Sequence, residues 1–132
     1  MNKQTIIDLF VKQLSEFSKS LCKLYPEDPD LKLAKTAVAT LSFVNPRQLL
    51  DLYNEFAYPY KEQILNKDEK YFLEKDFVTE DLDESGNESA FNTMFNFRRY
   101  LTELSDENKE NIWLYMKVLV KLNEKYLELR SS

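Results

Sequence analysis

The residues whose types and spacing could do chemistry lie around the chain's single glycine. Asp81, Asp83, Ser85, Gly86, Asn87 and Ser89 occupy positions 1, 3, 5, 6, 7 and 9 of a calcium-binding helix–loop–helix pattern, with the glycine at the sharp-turn position. Calcium takes six to eight oxygen ligands, and short oxygen-bearing side chains at alternate positions can converge on one ion. Two positions depart from the pattern. The twelfth is Asn92, which lacks the bidentate carboxylate, and the eighth is Glu88. A solvated acidic loop over 78–88 is therefore the favoured reading, with Asp81, Asp83, Ser85 and Asn87 kept as candidate calcium ligands.

The remaining chemistry is limited by absences. The chain has no histidine, so Ser-His-Asp and Cys-His catalysis and His-containing zinc sites are excluded. One cysteine, Cys22, makes neither an intramolecular disulfide nor a thiolate cluster, and one glycine makes neither a phosphate-cradling loop nor a dinucleotide fingerprint. Cys22 sits within an apolar helical pattern and reads as a small buried hydrophobe. Neither an enzyme nor a cofactor is expected.

Asn45–Phe77 interleaves aromatic with basic side chains: Tyr58, Tyr60, Lys61, Lys67, Lys70, Tyr71, Phe72 and Lys75. That combination could stack single-stranded bases. Glu55, Glu62, Asp68, Glu69, Glu74 and Asp76 cancel its charge, so core aromatics beneath a charged face are the better reading. Formal charge is −5; residues 1–66 balance eight basic against eight acidic groups, and 67–132 carry ten against fifteen. An acidic chain without a basic stripe is a poor ligand for phosphate backbones, so direct nucleic-acid binding is not expected. Tyr58, Tyr60, Lys61 and Lys67, around the break at Pro59, are the candidate contact residues for another protein.

These residues must be positioned by helices. One glycine and four prolines in 132 residues argue against a sheet, and 43% apolar residues suit a globular domain. Ile7, Phe10, Leu14, Phe17, Leu21 and Leu24 form one stripe of a first helix capped by Thr5 and ended by Pro26. Asp28-Pro29 starts a second, alanine-rich helix, and Asn45-Pro46 a third, stopped before Pro59. A short helix with Ile64 and Leu65 inward follows, then another capped by Asp68. One helix runs from Ser89 to Leu104 with Arg98 and Arg99 near its end, and Ser105 caps the last. Its stripe, Ile112, Tyr115, Leu119, Leu122, Tyr126 and Leu129, repeats the spacing of the first. Such stripes serve a bundle interior or a homo-oligomeric seam. The expected architecture is all-α: a single domain of five to seven helices, with short irregular ones in the middle. No run of 18 apolar residues and no secretory start occur, so an intracellular chain without a membrane span is expected.

NPRQLLDLYNEF, YPYKEQILNKDEKYFLEKDF and ENKENIWLYMKVLVKL resemble segments of uncharacterised small proteins of nucleocytoplasmic large DNA viruses. The resemblance covers about half the chain and implies an accessory or virion-associated protein of the host cytoplasm or virion. It brings no catalytic residue. The sequence thus points to a non-enzymatic protein-interaction module, with a homo-oligomeric assembly protein and a weak calcium-binding protein as alternatives.

Overall fold

A computed structural model describes residues 2–74 and 87–131. They form α1 (Lys3–Leu24), α2 (Pro29–Val44), α3 (Pro46–Phe56), a 3-10 turn (Tyr58–Tyr60), α4 (Lys61–Leu65), α5 (Glu69–Glu74), α6 (Asn87–Met94), α7 (Phe97–Glu103) and α8 (Asp106–Ser131). The described residues contain no strand, so the all-α expectation is met.

The helix starts follow local chemistry. Asp28 accepts from the backbone N–H of Asp30 (2.9 Å) and Leu31 (3.1 Å), with Pro29 at the position whose N–H has no partner anyway. Asp68 accepts from Tyr71 N–H (3.1 Å) and Ser105 from Asn108 N–H (3.3 Å), as their spacing predicts. Thr5 is not the cap of α1. Asn2 is: its side-chain oxygen accepts from both the backbone N–H and the hydroxyl of Thr5 (2.8 and 2.9 Å). An amide oxygen three residues upstream reaches the free N–H, so the helix starts earlier. Asn45 makes no side-chain cap; its own N–H closes α2 on the Leu41 carbonyl while Pro46 opens α3.

The expected helix from Ser89 to Leu104 is two helices, broken at Phe95-Asn96. Asn96 accepts from Arg99 N–H (3.3 Å) and starts α7, and the Tyr100 hydroxyl donates toward the Thr93 and Met94 carbonyls (3.1 and 2.8 Å). Those bonds satisfy carbonyls that a continuous helix would have used. The break lets Phe95 and Phe97 both face the core and raises the number of α-helices among the described residues to eight. It also places Arg98 and Arg99 in the first turn of α7, so the C-terminal macrodipole does not explain them.

The most extensive helix packing joins α1 to α8 and α2 to both α1 and α6. Ile7, Phe10, Leu14, Phe17 and Leu21 are buried with Ile112, Trp113, Met116, Leu119, Val120 and Tyr126. The matching stripes therefore serve the interior of one chain. Phe10, Tyr53, Phe95, Phe97, Phe72 and Trp113 continue it as a chain of ring contacts with centroids 5.2–6.2 Å apart, favourable beyond their area burial. Across α3 and α8, Asn54 and Asn123 exchange amide hydrogen bonds of 3.0 and 2.8 Å.

Candidate interaction surface

The aromatic–basic stretch folds into the 3-10 turn, α4 and α5. Tyr58 and Tyr60 are half-buried, and only Pro59 between them is exposed. The Tyr60 ring lies 6.3 Å from Tyr71 and 6.1 Å from Phe72, so it roofs the core. Lys61 folds back on Tyr58, with its ammonium 3.2 Å from the phenol oxygen and 5.0 Å from the ring centroid. The hydrogen bond to Tyr58, with that phenol's charge and those of Glu124 and Glu62, raises the Lys61 pKa. Leu65, expected inward, stands partly in solvent, while Ile64 takes the buried position.

Lys67 has a backbone role. Its φ of 50° lies in the left-handed region, where glycine is preferred. Asp68 N–H donates to Gln63 O (2.9 Å) and Lys67 N–H to Ile64 O (3.2 Å). That pair of bonds is the Schellman ending of a helix, with lysine in glycine's place. Its ammonium reaches Glu110 of α8, and Lys109 beside it pairs with Glu69 at 3.0 Å. Tyr58, Tyr60 and Lys61 thus share one corner, with Lys67 set apart on the strap that ties α4 and α5 to α8. Of the candidate calcium ligands, Asp81, Asp83 and Ser85 lie outside the described residues, and Asn87 opens α6.

Apolar side chains reach solvent elsewhere. Phe43 and Val44, at the end of α2, are 90% and 76% exposed. Periodicity alone could have flagged them: Leu31, Ala34, Val38 and Leu41 complete the inward stripe, and these two fall off it. Leu114 (60% exposed) and Val118 stand one turn apart on the outer face of α8.

An open groove adjoins that second pair, and another lies beside it. One, of about 380 Å³, is lined by Gln13, Ser20, Asn111, Leu114, Tyr115 and Val118. The other, of about 460 Å³, is lined by Glu16, Lys19, Ser20, Cys22, Lys23, Lys35 and Tyr115. Cys22 is half-buried rather than sealed in the core, and its thiol donates to Leu31 O at 3.3 Å. Burial pushes its pKa up, against the lowering pull of Lys35 and Lys32, so it is a weak nucleophile.

A third cavity, of about 560 Å³, lies where the α1–α2 link meets α7. Arg99 pairs with Asp28, stacks 4.0 Å over the Tyr25 ring and reaches Glu103 at 3.4 Å. Burial by itself would raise the Asp28 carboxyl; the Arg99 bond, two backbone N–H groups and the guanidinium charge outweigh it and hold the carboxyl below its ordinary value. Arg99 answers both Asp28 and Glu103, and Asp28 also caps α2, so the cluster works as a clamp between α2 and α7. Among the described residues no group of three or more Cys, Asp or Glu could hold a metal ion, and no helix is long and apolar enough to cross a membrane.

No protein-family model matches the chain, and neither the curated proteins nor the solved structures compared with it give a match.

Proposed function

We propose that the chain is a non-enzymatic protein–protein interaction module whose anchor is the Phe43–Val44 corner. The observation that carries the reading is an almost fully exposed phenylalanine next to an exposed valine on a structured helix end. Burying such side chains is worth about 1.5–3 kcal/mol each, and a few side chains seated in well-packed pockets carry most of the energy of an interface. The corner is held by Asn45 N–H on Leu41 O and by Pro46, so little ordering entropy opposes docking. Tyr58, Tyr60 and Lys61 remain a secondary contact candidate, centred on the exposed Pro59. The resemblance to large DNA virus proteins makes the infected cell and the virion the setting in which to seek the partner.

The test is affinity capture from that setting with the wild-type chain and with Phe43→Ser/Val44→Ser. A defined protein captured by the first and lost with the second is the expected result. Equal capture by both removes the corner from the reading. Homo-oligomeric assembly is the competing reading, favoured by the outward Leu114 and Val118. Light scattering decides it: a monomer across concentration counts against assembly.

A further inference from the structure

We propose that the two adjoining grooves on α1 and α8 form one binding surface for an acidic, amphipathic peptide segment of a partner protein. The proposal rests on reading the chain as an interaction module, and it names the chemistry of a partner segment at a face other than the Phe43–Val44 corner.

Ser20 and Tyr115 line both grooves, so the two lie side by side. Their halves differ in character. At one end Leu114 and Val118 present apolar surface beside Gln13 and Asn111. At the other, Lys19 and Lys23 of α1 converge with Lys35 of α2, opposed only by Glu16. All three lysines are exposed, and none forms an ion pair among the described residues. The groove is therefore a local excess of positive charge on a chain of net charge −5.

That pattern selects its occupant. Three convergent ammonium groups favour carboxylates and reject basic segments. The apolar half needs an apolar side chain to expel its water, which a bare phosphate chain lacks. An acidic helix with leucine or phenylalanine on one side satisfies both halves, which is the helix-in-groove mode with the polar contacts supplied by lysine.

The experiment is fluorescence anisotropy with a labelled synthetic peptide of about 15 residues, rich in Glu and Leu with an i, i+4 apolar face. The expected result is binding to the wild-type chain that weakens as salt rises. Lys19→Glu/Lys23→Glu/Lys35→Glu should weaken it about tenfold or more, and Leu114→Asp should weaken it independently. Arg98→Glu, a basic-to-acidic change at one exposed site of α7, should leave it unchanged. The triple variant should gain binding to the peptide in which Lys replaces Glu, a swap that a misfolded protein cannot produce. Any of four results overturns the proposal: no wild-type binding, equal binding of a peptide with Gln for Glu, equal binding by the triple variant, or a single-stranded RNA that binds as tightly and ignores Leu114→Asp. Self-association of the wild-type chain lost in the triple variant also overturns it, by putting a second copy in the groove. Failure here with capture through Phe43 and Val44 intact removes the groove alone. Peptide binding with capture lost to no corner variant removes the corner alone.

Discussion

The Asn54–Asn123 pair allows a prediction with a built-in asymmetry. Asn123 is fully buried on α8, and its two amide bonds both go to Asn54. Asn54 is half-buried on α3 and has a further acceptor, the Leu50 carbonyl at 2.8 Å. Asn54→Leu therefore leaves a buried amide with neither partner, which costs about 2–3 kcal/mol for an unsatisfied donor and acceptor. Asn123→Leu leaves Asn54 with Leu50 and access to solvent, and should cost about 1 kcal/mol. The double variant replaces both polar groups by apolar ones of similar shape and should lie within about 1 kcal/mol of wild type. The coupling between the sites is then about 3–4 kcal/mol, well beyond the few tenths expected of independent sites. Urea unfolding followed by Trp113 fluorescence measures it. For a chain of this size the Asn54→Leu loss corresponds to a fall in Tm of about 8 °C. Additive single-variant losses, or equal losses from the two, would refute the reasoning, because either would mean that the pair is not a closed unit hidden from water.

Three other perturbations follow from single sites. The Asp28 carboxyl titrates below its ordinary 3.8 in the folded chain, so its stabilisation is complete above about pH 4 and is lost as pH falls through the lower folded value. Asp28→Asn keeps an α2 cap and removes the ion pair, whereas Asp28→Ala removes both; acid titrations should show wild-type stability falling more steeply below pH 4 than that of either variant, with Asp28→Ala about 1 kcal/mol less stable than Asp28→Asn. Tyr53 is buried, and its hydroxyl has no hydrogen-bond partner among the described residues; burial, with Tyr58 and Glu124 nearby, keeps it protonated far above the usual phenol range. Tyr53→Phe should therefore raise stability by about 1 kcal/mol in urea unfolding, and a loss of that size would show that the hydroxyl has a partner. Lys67→Gly should stabilise by about 0.5–1 kcal/mol, because relief of the left-handed backbone outweighs an exposed pair with Glu110; a drop in Tm would assign that pair the larger share.

What the amino-acid pattern shows and what it hides divide along the range of the interactions. Caps at Asp28, Asp68 and Ser105, the proline starts and the two long stripes are local chemistry within one or two turns, and each was legible. The break at Phe95-Asn96 was not. Periodicity runs through it unbroken, and Tyr100, several residues downstream, makes it affordable by bonding the freed carbonyls. The cap of α1 was misplaced for a smaller reason: Asn2 and Thr5 are both good cap residues, and only their mutual hydrogen bond decides between them.

The same division explains the interaction surface. Tyr58 and Tyr60 flank a proline and read as free to face outward, but the turn that Pro59 creates folds them onto Tyr71, Phe72 and Lys61 instead. An aromatic residue beside a break has more ways to reach the core, and burial of its area rewards the ones that do. Lys19 and Lys23 lie one turn apart on a helix, where two solvent-facing lysines by themselves carry no message. Lys35 joins them only because α2 packs back along α1, and Leu114 and Val118 lie alongside because α8 packs on the other flank. Charge counted along the chain balances over residues 1–66, whereas charge gathered at the groove does not. A partner meets the second quantity, so a chain that is acidic overall can still present a site for acidic ligands.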